Sequence, residues 1–317
     1  MLSIPENVEH VLVAPLNWGL GHASRCIPII KELISRNYKV TLASDGEALD
    51  LLRLEFPNLH AISLPPYNVR YKKGNFFSIV LDNVSNVFSA IRKERKVLKE
   101  ILKTEDIDFI ISDSRFGFYT SQKPCVIISH QLNLMTAHSV LSFFLNKGNS
   151  FYLNQFDTCW VPDYEDRRLS GKLSDPKFIK NVKYIGPLSN LEKYKTEKKY
   201  DIGIVLSGPE PARTEWEQTL IEEYKDTNKR IALIRGTKKG YPIKGVDHWK
   251  VYALANRKLV NQILLESKLV ISRSGYTSIM DYDKLGIQAK VTATPGQSEQ
   301  EYLEGLHGGN ITQKNNT

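Results

Sequence analysis

The stretch from Val270 to Leu303 constrains the fold more than any other part of the chain. A short apolar run, Leu269-Val270-Ile271, breaks at Ser272-Arg273-Ser274-Gly275. Apolar residues at Ile279, Met280 and Leu285 then follow at spacings that suit a helix. The plan repeats at once. A β-like run through Val291 leads to a turn at Thr294-Pro295-Gly296 and a polar helix start at Gln297-Ser298-Glu299-Gln300. Two strand-to-helix turns in succession put two helix N-termini at one edge of a parallel sheet. Ligands of open α/β sheets bind at that edge, and the free N–H groups of helix N-termini favour anions. Arg273, Ser274, Gly275, Asp281, Gln297, Glu299 and Gln300 therefore stand where a phosphorylated, hydroxyl-rich ligand would need them. Taken singly, Gly275 reads as a tight turn and Asp281 as a solvated helix residue; the combination is what is specific.

The same plan opens the chain. Val11 to Ala14 is a compact apolar run and reads as a central parallel strand. It breaks at Pro15-Leu16-Asn17-Trp18-Gly19-Leu20-Gly21-His22. A helix with Ile27, Ile30, Leu33 and Ile34 on its apolar positions follows. Gly19 and Gly21 let the backbone turn tightly and approach a ligand. Gly19 to Ser24 reads G-x-G-x-x-S, one residue away from a dinucleotide fingerprint, and the next strand, Val40 to Ala43, ends near Asp45, where such a fold expects a ribose-binding acid.

Strands and helices alternate onward. Ala48 to Leu54 reads as a helix and Leu59 to Leu64 as a strand. A loop at Tyr71-Lys72-Lys73-Gly74 precedes a long helix from about Phe76 to Lys103. Strands at Ile107 to Ile111 and Val126 to Ile128 end at Asp113-Ser114-Arg115 and Ser129-His130. His22, Asp113, Arg115 and His130 thus fall at strand C-terminal ends and are expected to converge. Phe156 to Val161 reads as the last strand of this half, and the lysine-rich stretch from Leu191 to Tyr200 as a linker. A second α/β domain begins with strand Ile202 to Leu206, which breaks at Ser207-Gly208-Pro209-Glu210-Pro211. Helix Arg213 to Tyr224, strands Ile231 to Ile234 and Lys250 to Ala253, and helix Lys258 to Glu266 follow. The domains expected are 1–187, a linker at 188–200, and 201–317.

Composition narrows the function classes. With 41% apolar and 25% charged residues the chain reads as globular rather than disordered. No run of about 18 apolar residues occurs. The three cysteines, Cys26, Cys125 and Cys159, are scattered. They suggest buried thiols in a reducing compartment, not a disulfide framework or metal site, and a cytoplasmic location follows as the default. A net charge of +8, without a basic tail, suits anionic substrates or a membrane surface and gives no case for nucleic acid. Arg92, Lys96, Lys99 and Lys103 form one stripe on the long helix, most simply a solvated face, while Phe88, Ile91, Val97, Leu98 and Ile101 face the core. Contact with anionic lipid headgroups is the functional reading of that stripe. Ala137 to Phe156, rich in Phe and Leu, reads as a core helix or, alternatively, as a membrane-facing or acceptor-facing surface.

Arg273-Ser274-Gly275 and Pro295-Gly296-Gln297 with Glu299-Gln300 resemble the donor-binding half of the inverting, two-domain GT-B nucleotide-sugar glycosyltransferases. They are similar above all to the peptidoglycan N-acetylglucosaminyltransferases (family 28, C-terminal domain). The resemblance implies two Rossmann-like α/β domains with parallel sheets facing an interdomain cleft. It implies that Asp281, six positions after Gly275, binds the ribose hydroxyls of UDP where the family carries Glu. Glu299-Gln300 takes the place of a Gln-Gln pair that touches the sugar, which leaves the sugar open. Ser207, Gly208 and Arg213 correspond to the loop approaching the diphosphate. Gly19, Gly21, Arg25 and His130 fall on the acceptor side. His22 is the first candidate for the general base and Asp113 the second. Asp-x-Asp occurs at Asp106-Ile107-Asp108 and at Asp281-Tyr282-Asp283; the resemblance nonetheless implies neither a metal nor another cofactor. The activity implied is metal-independent, inverting transfer from a UDP-sugar such as UDP-GlcNAc to an acceptor that is lipid-linked or an envelope glycan, with peripheral contact at the inner face of the membrane. Three rivals stay open: a nucleotide-sugar epimerase or hydrolase, a non-catalytic nucleotide-sugar binder, and an NAD-dependent oxidoreductase built on Gly19 to Asp45.

Overall fold

The computed structural model describes residues 2–66, 84–135, 139–237, 243, 245–308 and 310–311, with backbone alone at 84–87, 139–141 and 310–311. The expected loop at Tyr71 to Gly74, the helix start at Phe76, Ala137, the Val140 and Leu141 side chains, Gly309, and the tail from Thr312 onward lie outside these residues. The chain divides into two compact units, Met1–Asn190 and Leu191–Thr317.

The first unit is built on a parallel sheet of β1 (His10–Pro15), β2 (Lys39–Ser44), β3 (His60–Ser63), β4 (Phe109–Asp113), β5 (Cys125–Ile128), β6 (Thr158–Val161) and β7 (Val182–Tyr184). Its order is β3-β2-β1-β4-β5-β6-β7. β1 is buried along its whole length because β2 and β4 flank it, which is why it reads as an unbroken apolar run. Helices α1 (Leu20–Ser35), α2 (Gly46–Glu55), α3 (Val84–Thr104) and α4 (Ser139–Leu153) connect the strands. Leu98 and Ile101 of α3 and Leu153 of α4 join Leu12, Ile110 and Ile127 of the sheet in one core.

The second unit repeats the plan with β8 (Tyr200–Val205), α5 (Ala212–Tyr224), β9 (Ile231–Ile234), β10 (Lys250–Tyr252), α6 (Arg257–Glu266), β11 (Ser267–Arg273), α7 (Tyr276–Leu285), β12 (Ala289–Thr292), α8 (Ser298–Leu306) and β13 (Asn310–Ile311). The order is β10-β9-β8-β11-β12-β13, parallel except for β13 against β12. In both sheets the first strand sits beside the fourth. Each unit therefore has the reversal of strand order at which open α/β sheets bind ligands at their C-terminal edge.

Several expectations need correction. Phe156 to Val161 is not the last strand of its half: β7 adds one more, a three-residue, half-buried edge strand with no apolar run to announce it. Phe88 is exposed although its spacing suggested the core, and so is Ile34 in the last turn of α1. Arg92, Lys96, Lys99 and Lys103 are all exposed, a solvated face. α4 is no plain core helix. It turns Asn146, Ser150 and Leu153 inward and leaves Phe143, Phe144 and Phe151 exposed. The three cysteines are free and buried.

Candidate functional site

At the C-terminal edge of the first sheet, β1 ends opposite β4, with Pro15 in register with Asp113. The chain then turns through Gly19, whose φ of 75° favours glycine, and enters α1. Gly21 and His22 lie in the first turn of that helix, so the loop is shorter than the sequence suggested. α1 brings His22 and Arg25, one turn apart, against the end of β4.

Asp113 is fully buried and ties the cluster together. It accepts Arg25 Nε at 2.5 Å and Arg25 Nη2 through its other oxygen. His22 Nδ1 lies 2.9 Å from Oδ1. Arg25 Nη2 also approaches His22 Nδ1 at 2.9 Å, and Arg25 Nη1 lies 3.4 Å from His130 Nδ1. Burial by itself raises the Asp113 carboxyl. The charges of Arg25 and His22 and their hydrogen bonds reverse that and hold it well below the usual carboxylate range. Burial, then the Arg25 charge, lower the His22 ring from its ordinary value against the opposing pull of Asp113.

Asp113 is saturated with donors and is a poor base. Burial and Arg25 favour the neutral form of His22, whose Nδ1 stands 2.9 Å from both the Asp113 carboxylate and the Arg25 guanidinium. Nε2 has no hydrogen-bond partner among the described residues, and the side chain is 19% exposed. A neutral imidazole oriented by a buried carboxylate is the arrangement of a general base. Gly19, Gly21, Arg25 and His130 belong to this cluster's surroundings; Arg115 does not. It turns the other way, fully buried, donating to Pro15 O at 2.9 Å, to Glu94 Oε1 at 2.8 Å and to Asp45. Asp45, the acid of the dinucleotide reading, is taken by Arg115 and by Asn17 Nδ2 at 3.1 Å.

In the second unit three loops meet at the corresponding edge. After β8, Ser207 and Gly208 are exposed, and their amides make no hydrogen bond among the described residues. Gly208 has a φ of 111°. After β11, Gly275 caps the start of α7, and a side chain there would meet nothing within 4 Å. After β12, Gly296 turns with a φ of 80° and Gln297 caps α8.

Arg273 clips these loops together. It donates to Ala293 O beyond β12 and to Ala212 O, at 3.3 Å, in the first turn of α5. Its guanidinium carbon lies 4.0 Å from the Trp216 ring centre, within cation–π range. Arg273 is buried, its Nε is unpartnered, and no carboxylate stands within ion-pair distance among the described residues. Ser274, fully buried, donates to Gln300 O at 2.8 Å, so it fixes the turn rather than offering a hydroxyl. Gln300 braces the third loop, accepting from Thr294 N at 2.8 Å and donating to Gln297 Oε1 at 2.7 Å. Asp281 and Glu299 are half-buried, in the second turn of α7 and the first of α8.

Arg213 is corrected by its surroundings. It donates to Glu210 at 2.6 Å, Glu217 at 2.9 Å, Thr214 at 2.6 Å and Arg235 O at 3.2 Å, and is buried. It braces α5 against the end of β9 and is not a free cation for a diphosphate. The i, i+4 spacing of Arg213 and Glu217 carried that signal in the sequence. Trp216 is a neighbour of this site that the sequence reading missed, and Thr294 one that it placed only in a turn.

No family model matches the chain. An uncharacterized glycosyltransferase of Methanosarcina mazei is 26% identical over 167 residues. That match spans 46% of this chain and 41% of the relative, less than half of its length. Among solved structures, Phytolacca americana UGT2 complexed with UDP-2fluoro-glucose and pterostilbene has a TM-score of 0.66 at 14% identity, over 95% of this chain and 83% of that one. CalG4, the calicheamicin glycosyltransferase, has a TM-score of 0.61 at 12% identity, over 93% and 84%. Acinetobacter baumannii MurG has a TM-score of 0.53 at 11% identity, over 93% and 82%. At these identities the likeness is one of fold: two Rossmann-like α/β units, as in the GT-B glycosyltransferases.

Proposed function

We propose that this chain is a glycosyltransferase, moving a sugar from a nucleotide sugar, with UDP-GlcNAc the first donor to try, onto an acceptor hydroxyl with inversion. The observation that carries the reading is His22, a neutral imidazole with an open Nε2, held by a buried carboxylate at a ligand-binding sheet edge. Its support is the fold shared with glycosyltransferases and the partial similarity to one of them from M. mazei. In the reaction the acceptor oxygen bonds to the anomeric carbon as the bond from that carbon to the diphosphate oxygen breaks. With the His22 proton on Nδ1, toward Asp113, the hydroxyl proton passes to Nε2, and the diphosphate leaves with the electron pair. One displacement inverts the centre. The charge growing on the diphosphate is met by the N-termini of α5 and α7, the open amides of Ser207, Gly208 and Gly275, and Arg273, which has no carboxylate within ion-pair distance among the described residues, without a metal bridge. Asp281 takes the ribose hydroxyls, and Gln297, Glu299 and Gln300 the sugar.

For the acceptor we propose a lipid-linked or envelope glycan, met at a membrane surface. Its support is α4, where Phe144 is 67% and Phe151 65% exposed. Thermal melting against nucleotides tests the donor half. UDP at about a hundred times its Kd is expected to stabilise the second unit by about 2.7 kcal/mol by linkage. Asp281→Ala is expected to abolish most of that shift. Stabilisation by NAD and not by UDP would end this reading.

A further inference from the structure

Thr294 has no role in the reading above, yet its side chain is anomalous. The residue is 4% exposed, and its hydroxyl is buried without a hydrogen-bond partner. Buried hydroxyls are nearly always bonded, so an orphan one needs an explanation. Its backbone is fully used: Thr294 N donates to Gln300 Oε1, and Thr294 O accepts from Gln297 N at 3.1 Å. The loop is therefore held firmly while the hydroxyl is left over.

The surroundings say what would use it. A Cβ on Gly208 would stand 3.9 Å from Thr294 Oγ1 and would meet nothing else within 4 Å. The orphan hydroxyl thus looks onto the Ser207–Gly208 segment, whose amides are also unbonded among the described residues. Ala293, the preceding residue, holds Arg273 by its carbonyl, and Trp216 fixes the other side of that guanidinium. Arg273 Nε is the second orphan polar atom of the same neighbourhood. Two unsatisfied groups, one of them cationic, beside open amides and the start of α5, describe the coordination of an oxyanion.

We propose that Thr294 is a phosphate-binding residue, its hydroxyl donating to a diphosphate oxygen of the nucleotide donor that the Ser207 and Gly208 amides also hold. This rests on the nucleotide-sugar reading and adds a ligand to it. Titration calorimetry of the full chain with UDP and with uridine, GDP and dTDP run in parallel, tests it. Thr294→Val keeps the shape and removes the hydroxyl; Thr294→Ser keeps the hydroxyl. Thr294→Val is expected to weaken UDP about tenfold, as loss of one hydrogen bond to a charged group does, and to leave uridine unchanged. Thr294→Ser is expected to bind UDP like the parent chain. Unchanged UDP affinity in Thr294→Val overturns the inference alone. Equal loss of UDP and uridine overturns it too, because it marks a structural role. Parent chain that binds none of the three diphosphates overturns the donor reading and the inference with it.

Discussion

Replacing Asp113 by Asn separates the role of its charge from that of its shape. Arg25 is 2% exposed, and Asp113 is the carboxylate it meets within ion-pair distance among the described residues. Neutralising one partner of such a pair leaves a buried guanidinium uncompensated, which costs about 3–5 kcal/mol. Asn keeps an acceptor oxygen, so the lower end is expected. The effect on His22 has a definite sign. The charge and hydrogen bond of Asp113 are what hold the ring up, while burial and Arg25 push it down. Without the carboxylate the ring titrates lower still. NMR of the histidine ring resonances reads this without any substrate: His22 below 6.5 in the parent, lower again in Asp113→Asn. Transfer is expected to fall about 10²-fold or more, since the base loses its orientation and basicity. Stability follows the same linkage. The folded Asp113 carboxyl is depressed, so its contribution is full above the unfolded value of about 3.9 and is lost as pH falls below it. The lowered His22 contributes in the same direction, full above about 6.5 and lost as pH falls toward its folded value. Asp113→Asn is expected to lack the acidic part of that dependence. A His22 titration that stays in place or rises in Asp113→Asn would refute the reasoning.

Two further substitutions test the scaffold. Arg115→Met strands the nearly buried carboxylates of Asp45 and Glu94 and is expected to cost about 3–5 kcal/mol in urea denaturation, with UDP affinity at the second unit unchanged. Gly236→Ala is expected to destabilise by about 1–3 kcal/mol, because its φ is 69° and the new Cβ would stand 2.5 Å from the Leu206 carbonyl oxygen.

Most of the fold was legible because both sheets are buried on two faces. β1, β4, β5, β8, β9 and β11 appear as short apolar runs that end in Gly or polar turns, and those endings mark the C-terminal edges of the sheets. β7 and β13 were not legible: edge strands of three and two residues leave too short a pattern. The candidate residues were placed at strand ends from the sequence, but their partners were not. Sequence places Arg115 and Arg213 beside strand ends, but which carboxylates claim them is decided by packing. Glu94 shows this well. It lies between Ile91 and Leu98 on the apolar face of α3, and that placement is the sign of a buried acid awaiting a partner. Trp216 carries no motif and Thr294 reads only as part of a turn; the orphan atoms around them draw them into the candidate site.

The central claim is sugar transfer with His22 as base, and the direct measurement is product analysis. Parent chain and His22→Asn would be incubated with UDP-GlcNAc and a lipid-linked glycan acceptor, with UDP affinity measured alongside. The expected result is a glycoside of inverted anomeric configuration by NMR from the parent, with loss of about 10²–10⁴-fold in rate and unchanged UDP affinity in His22→Asn. A retained configuration, or equal turnover by the two chains, would contradict the account.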